Sequence, residues 1–258
     1  MTWPYRAYDE LNLVTQTQPR RDTLQGHVAP IEQHTHISVF FASIPRRGLG
    51  ESRSYAEQRP MTDHIDWNDR YRDGNLPWDT GQPSSELQRV LARNTIQSCR
   101  AFEIGCGTGT NSVWLAQQGF EVTGIDLALL AVELAEKRAH AAGVKVHFLV
   151  ADVLHLPDLD GHFAFFFDRG CYHAVRRDAP EQYAPALARQ LVSGGRGLIL
   201  AGNAREPHDP GPPVVTEEEI RDELGLAFRI LDLHEFRFDE APGVPERFLG
   251  WSCLVEKR

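Results

Sequence analysis

Ala101-Phe102-Glu103-Ile104-Gly105-Cys106-Gly107-Thr108-Gly109 decides the reading of this chain. Four residues of strand character run into three glycines at every second position, and Ile125-Asp126 follows seventeen residues beyond Gly109. An apolar strand ending in a turn tight enough for its backbone to touch a ligand needs positive φ without a Cβ clash, which glycine alone supplies. The stretch therefore reads as the strand, loop and helix start of a nucleotide-binding α/β domain. The spacing bears on the ligand. A dinucleotide fingerprint, Gly-x-Gly-x-x-Gly, would need glycine at Thr110, whereas the third glycine here comes one residue early, at Gly109. Glu103 adds a carboxylate at the strand end, which suits a cationic amino-acid moiety better than a pyrophosphate. Both features favour S-adenosyl-L-methionine over NAD.

Outward from this loop, strand-like and helix-like patterns alternate, as expected of a parallel sheet with helices on both faces. A helix is expected from Ser85 as N-cap, with Leu87, Val90 and Leu91 on one face. Strands are expected at 101–104, 121–125 and 145–150, with helices over the Val113 region, ended by Gly119, and over 129–141, ended by Gly143. The all-apolar run Phe163 to Phe167 reads as a central strand buried on both faces. A helix over 180–192 should lead through a Gly194-Gly195 turn into a fifth strand, Leu198 to Ala201. Thr216 and Glu219 spell a capping box. Two last strands, near 227–238 and 247–256, joined by a turn at Pro242-Gly243, should pair antiparallel or as a hairpin.

Composition narrows the function. The chain of 258 residues carries a net charge of −9, which argues against sequence-independent binding to nucleic acid. The absence of an eighteen-residue apolar run argues against a membrane span, and no secretory signal pattern opens the sequence. Cys99, Cys106, Cys171 and Cys253 form no Cys-x-x-Cys pair, so neither disulfides nor a metal site is expected, and a cytoplasmic setting fits. A small-molecule substrate is the expected partner. Residues 1–60 stand apart: they hold 7 Arg against 6 acids and no Lys, while 61–258 hold 20 basic and 30 acidic side chains. We read 1–60 as a poorly ordered extension or a misassigned start, with Met61 opening the functional domain, 61–258.

In an open α/β sheet, ligands bind beyond the carboxyl ends of the strands, near the point where strand order reverses. Four such ends carry acids: Glu103, Asp126, Asp152 and Asp168. Asp126 is placed to accept from both ribose hydroxyls, with an N-cap role as the plainer alternative. Asp152 is placed to accept from the adenine amino group while Val153 packs on the ring; a loop cap is its alternative. Residues 67–83, with Trp67 and Trp78 among Asp, Arg and Gly, read as an aromatic-polar loop able to fold over a cofactor and set a π face near a sulfonium.

The order Trp67…Arg70-Tyr71…Gly74…Pro77-Trp78-Asp79-Thr80-Gly81, then Glu103 to Gly109, then Phe167-Asp168-Arg169-Gly170, then Pro210-Gly211-Pro212-Pro213 before a helix resembles the thiopurine S-methyltransferase family. That family includes bacterial thiol, halide and metalloid methylating enzymes. The resemblance runs from about Asp66 to Lys257. It implies a class I methyltransferase (Rossmann-like) fold, α/β, with a seven-stranded, mostly parallel sheet whose last strand, near Phe248 to Glu256, inserts antiparallel. It also implies that Trp67, Trp78, Gly105, Gly107, Gly109, Asp126, Asp152 and the Asp168-Arg169 pair lie at the cofactor site, with Arg169 near the substrate. The intact glycine loop is like that of the bacterial relatives and unlike the degraded loop of animal thiopurine enzymes, which points away from thiopurines as natural substrates.

Methyl transfer to a soft nucleophile needs little beyond alignment, because a thiol, halide or hydrogen chalcogenide is partly or wholly anionic at neutral pH. Arg169 is expected to favour such an anion, Asp168 to orient Arg169 or the cofactor, and His173 to accept a proton from a less acidic substrate, unless it merely makes a local hydrogen bond. Other readings are an O- or N-methyltransferase of the same fold, a non-catalytic module that binds the cofactor, and an NAD-dependent oxidoreductase.

Overall fold

A computed structural model of the chain describes residues 66–74, 76–159, 162–207, 211–239 and 247–258. The expectations placed on residues 1–60, Met61, Pro210 and the Pro242-Gly243 turn lie outside these residues. The strands are β1 (Arg100–Ile104), β2 (Glu121–Asp126), β3 (His147–Val150), β4 (Phe163–Arg169), β5 (Leu191–Asn203), β6 (Val214–Val215), β7 (Phe228–Arg237) and β8 (Leu249–Lys257). They order as β3-β2-β1-β4-β5-β8-β7. The pairs from β3 to β5 are parallel, and β8 inserts antiparallel to both β5 and β7. The two-residue β6 adds an eighth strand, parallel to the end of β5.

The helices are α1 (Trp67–Arg72), α2 (Ser85–Arg93), α3 (Thr110–Gln117), α4 (Leu129–Ala142), α5 (Cys171–Val175), α6 (Pro180–Gln190) and α7 (Glu217–Leu224). The sheet has a core on each face. Leu87, Val90 and Leu91 of α2 and Leu115 of α3 cluster with Ala101, Phe165, Phe167, Leu198 and Leu254 on one side. Tyr183 and Leu187 of α6 and Ile220 and Leu224 of α7 cluster with Phe102, Ile104, Phe166, Ile199 and Val255 on the other. β4 occupies the middle of the order, so its phenylalanines have no solvent face. Each such ring contributes roughly 1.5–3 kcal/mol by burial, which makes this hydrophobic run the spine of the sheet.

Several local expectations are corrected. Trp67–Arg72, expected as part of a loop, is a helical turn and a half, capped by the Asp66 carboxylate, which accepts from the Asn68 N–H at 3.0 Å. Its aromatic-polar sequence has no helical period long enough to announce it. Ser84, not Ser85, is the N-cap of α2, because it stands three residues before Leu87, whose N–H it accepts. Gly194 does not end a turn between helix and strand: β5 already starts at Leu191, and positive φ at Gly194 (71°) absorbs a register shift inside the strand. Among the described residues no helix is long and apolar enough to cross a membrane.

Candidate active site

Strand order reverses between β1 and β4, so the crevice lies beyond their carboxyl ends. The glycine loop fills its floor. Gly105 (φ +62°) and Gly109 (φ +78°) hold conformations that favour glycine, and a Cβ would fall 2.9 Å from the Cys171 Cβ at the first and 2.7 Å from the Ala135 Cβ at the second. The loop is thus pressed against α5 and α4 by its lack of side chains. At Gly107, a Cβ would stand 3.2 Å from the Tyr71 hydroxyl. Burial and the nearby Asp126 charge push the Tyr71 phenol upward, so it remains protonated and a donor.

The loop amides are already engaged. Gly107 N–H donates to Asp126 Oδ2 and Cys106 N–H to the Ile125 carbonyl, both at 2.9 Å, and Gly109 N–H donates to the Cys106 carbonyl at 2.9 Å. A pyrophosphate would need those amides free and would face the Asp126 carboxylate. The residues instead fit a ligand that donates hydrogen bonds and carries no phosphate, as S-adenosyl-L-methionine does. Asp126 is 8% exposed, and its Oδ1 accepts from the Ala128 N–H at 2.9 Å. Burial pushes its carboxyl up, and the backbone amides of Ala128, Gly107 and Leu127 pull it back down. Each oxygen retains a second acceptor direction. Leu127, beside it, is 56% exposed.

Asp152 is the cap of the Val153–His155 turn: it accepts from Leu154 N–H at 2.9 Å and contacts His155 Nδ1 at 2.8 Å. Val153 is 5% exposed and packs into the core with Ile125. Glu103 is 1% exposed; Asn111 Nδ2 donates to it at 3.1 Å and Ser112 Oγ at 2.5 Å. Burial pushes its carboxyl up to about 8, partly offset by those donors. Glu103 therefore spends its oxygens on buried protein partners, whereas Asp152, whose side chain is 41% exposed, has one partner at each oxygen, as Asp126 does.

The front segment closes over the loop. Trp67, Tyr71 and Trp78 meet edge to face, with ring centroids 5.8 Å (Trp67 to Trp78) and 6.3 Å (Tyr71 to Trp78) apart. Asp79 accepts from the Thr108 hydroxyl at 2.6 Å, Asn68 Oδ1 accepts from Leu130 N–H at 3.1 Å, and Arg138 donates to the Thr108 carbonyl at 2.9 Å. Asn68 and Arg138 belong to no motif, and Tyr71, Asp79 and Thr108 stand in motifs without a role of their own; their partners lie too far along the chain for spacing to reveal them.

Asp168 and Arg169 part company. Successive residues of a strand face opposite sides, so Asp168 turns into the core beneath α5. It is fully buried, accepts from Cys171 N–H (2.8 Å), Tyr172 N–H (2.9 Å) and the Tyr183 hydroxyl, and burial pushes it up to about 7. The expectation that Asp168 orients Arg169 is corrected accordingly. Arg169 faces the other way, donates to the Trp78 carbonyl at 2.8 Å and lies 5.2 Å from the centroid of the Phe238 ring. Burial lowers its pKa, while Asp239, Asp79 and Glu103 raise it. His173 is 8% exposed, and its Nδ1 accepts from the Gly202 N–H at 2.9 Å. That bond places the ring proton of the neutral imidazole on Nε2, and burial with the Arg169 charge lowers the pKa to about 4. The local hydrogen bond, not a free base, is what His173 makes. Among the described residues no group of three or more His, Cys, Asp or Glu side chains could hold a metal ion.

The family model for thiopurine S-methyltransferase matches residues 62–252. A thiopurine S-methyltransferase of Pseudomonas paraeruginosa is 28% identical over 212 residues, covering 74% of this chain and 94% of the relative. A 2-heptyl-1-hydroxyquinolin-4(1H)-one methyltransferase of Mycobacteroides abscessus is 27% identical over 164 residues, covering 62% of this chain and 72% of the relative. A solved structure from work on the conversion of a disulfide bond into a thioacetal group during echinomycin biosynthesis superposes with a TM-score of 0.62 at 27% identity, over 70% of this chain and 84% of that one. With the class I fold and the glycine loop in place, the chain belongs to the thiopurine S-methyltransferase family and is an S-adenosyl-L-methionine-dependent methyltransferase.

Proposed function

We propose that this enzyme methylates a small, soft nucleophile: a thiol, a halide, or a selenium or tellurium species. One observation carries the reading. Arg169 is a cation at the β4 end of the crevice, and neither Asp168, which turns away, nor His173, which already accepts from Gly202 N–H through Nδ1, offers it a free base. Such a site serves an acceptor that arrives anionic or nearly so.

The cofactor would be held by the glycine loop and by Asp126, whose remaining acceptor directions suit ribose hydroxyls, with Leu127 as an apolar platform beside it. Asp152, 41% exposed at its side chain, would accept from the adenine amino group while Val153 packs on the ring. Trp67, Tyr71 and Trp78 would exclude water above the loop. When bound, S-adenosyl-L-methionine would supply a sulfonium methyl carbon open to in-line attack by an acceptor lone pair, with S-adenosylhomocysteine as the leaving group. The chain contributes alignment, which can account for about 7–11 kcal/mol of such a barrier. Arg169 would stabilise the incoming anion, Asp168 would set the start of α5, and His173 would brace α5 against β5. The match over residues 62–252 supports reading 61–258 as the catalytic domain.

A hydroxyl acceptor on an aromatic ring is a second reading. The Phe238 ring beside Arg169 favours it, as does the similarity to the Mycobacteroides enzyme, whose named substrate carries a hydroxyl on a quinolinone. Labelled S-adenosyl-L-methionine tested against thiols, iodide, selenite and tellurite, with hydroxyquinolinone, phenol and amine acceptors alongside, separates the two. Transfer to the hydroxyquinolinone alone would replace the first reading by the second.

A further inference from the structure

Asp239 and Ser85 stand 154 residues apart in sequence, yet Asp239 accepts from the Ser85 N–H at 2.8 Å and from its hydroxyl at 2.6 Å. The neighbouring Ser84 is 3% exposed and donates its N–H to Asn111 Oδ1 at 2.8 Å. Asn111 in turn donates to Glu103 at 3.1 Å. A continuous polar path therefore runs from β1 through the first turn of α3 and the start of α2 to the residue pair just beyond β7. At its far end lies Phe238, 8% exposed, with its ring beside the Arg169 guanidinium. Gly250 on β8 leaves the room for this ring: a Cβ there would fall 2.6 Å from both Phe236 and Phe238.

We propose that Asp239 is a positioning residue that clamps the end of β7 to α2 and so fixes the Phe238 ring against Arg169. A guanidinium is planar and offers its donors along its edge, so the ring beside it decides where that edge points. The end of a strand frays unless tied down, and the two Ser85 bonds tie it. Both oxygens of Asp239 serve the clamp, and its charge also acts through space on Arg169. The inference rests on the reading of Arg169 as the acceptor-side group.

The test compares Asp239→Ala, Asp239→Asn, Ser85→Ala and Arg169→Ala in the full chain. The probes are the Arg169 Nε–H proton resonance, assigned by its loss in Arg169→Lys, and KM and kcat for thiophenol. Asn can keep both links, accepting from the Ser85 N–H and donating to its hydroxyl, so it is the rescuing variant. The resonance should lose its ring-current shift in Asp239→Ala and keep it in Asp239→Asn. Both variants lack the Asp239 charge, so thiophenol KM should be about tenfold higher in Asp239→Ala than in Asp239→Asn, the size of coupling expected within one hydrogen-bonded network, while S-adenosylhomocysteine affinity is unchanged. Should Asp239→Ala fail to fold, Ser85→Ala must move the resonance in the same direction to a smaller extent. An unmoved resonance in these variants, or Asp239→Asn behaving like Asp239→Ala, overturns the clamp. The resonance is read without any acceptor. An unchanged thiophenol KM in Arg169→Ala instead removes the acceptor-side reading of Arg169, whatever the resonance shows.

Discussion

The Asp79 carboxylate accepts a 2.6 Å hydrogen bond from the Thr108 hydroxyl, which fastens the front segment to the middle of the glycine loop. The same carboxylate accepts from Gly81 N–H at 3.0 Å and lies 3.7 Å from Arg138 Nη2. Asp79→Ala should therefore loosen the cover over the loop without touching the floor. The expected result is a loss of about 1.5–3 kcal/mol in S-adenosylhomocysteine binding by isothermal titration, the range for a hydrogen bond to a charged group. Unchanged affinity would mean that the front segment does not cover the cofactor.

Asp126→Ala should weaken the same binding by roughly 1.5–3 kcal/mol, because it removes an acceptor for the ligand and frees the Gly107 amide that the loop geometry uses. Asp152→Ala should cost less, since its side chain is 41% exposed and water competes for any bond it makes to the ligand, whereas Asp126 is buried. Equal losses would mean that the bound ligand shields Asp152 from water as fully as the protein shields Asp126.

Glu103 should make stability fall as pH rises. The unfolded carboxyl ionises near 4.5, whereas burial holds the folded one protonated to about 8. The native state keeps the extra proton between those values, so the contribution is complete below 4.5 and is lost through about 8. Asp168 adds the same sign between 3.8 and about 7. His173 has the opposite sign: depressed from 6.5 to about 4, it contributes above 6.5 and loses that contribution as pH falls through 4. Guanidinium unfolding midpoints measured across pH should show a shallower alkaline decline in Glu103→Gln. An identical decline in both proteins would mean that Glu103 is ionised in the native state.

His173→Asn should retain turnover to within a few-fold, because the Asn carbonyl can still accept from Gly202 N–H and no proton passes through the ring. A loss of two orders of magnitude at unchanged thermal stability would show that the ring is a base.

Much of this architecture was legible because it is written locally. The strand, glycine loop and acid of β1 to β2 lie within one continuous stretch, and the capping box at Thr216 closes on itself through Glu219. Four phenylalanines among the five apolar residues Phe163 to Phe167 fit a strand covered on both faces. Asp168 and Arg169 were another matter. Strand alternation separates their directions, but the Asp-Arg-Gly motif presents them as a pair, and the position of β4 shows that one side chain serves the core and the other the crevice. What spacing could not supply is contact across the fold: Tyr71 on Gly107, Asn68 on α4 and Asp239 on Ser85. α1 escaped notice because a helix of six residues, none of them buried, leaves no apolar period.

The most direct test of the central claim is kcat/KM for thiophenol and for phenol, measured with wild type and Arg169→Ala at neutral pH. Aryl thiols are far more ionised than phenols at that pH, so the comparison isolates an anionic soft acceptor at constant shape. The account requires wild type to prefer thiophenol strongly and Arg169→Ala to lose most of that preference while S-adenosylhomocysteine still binds. Equal efficiency on both acceptors, or a preference that survives the loss of Arg169, would contradict it.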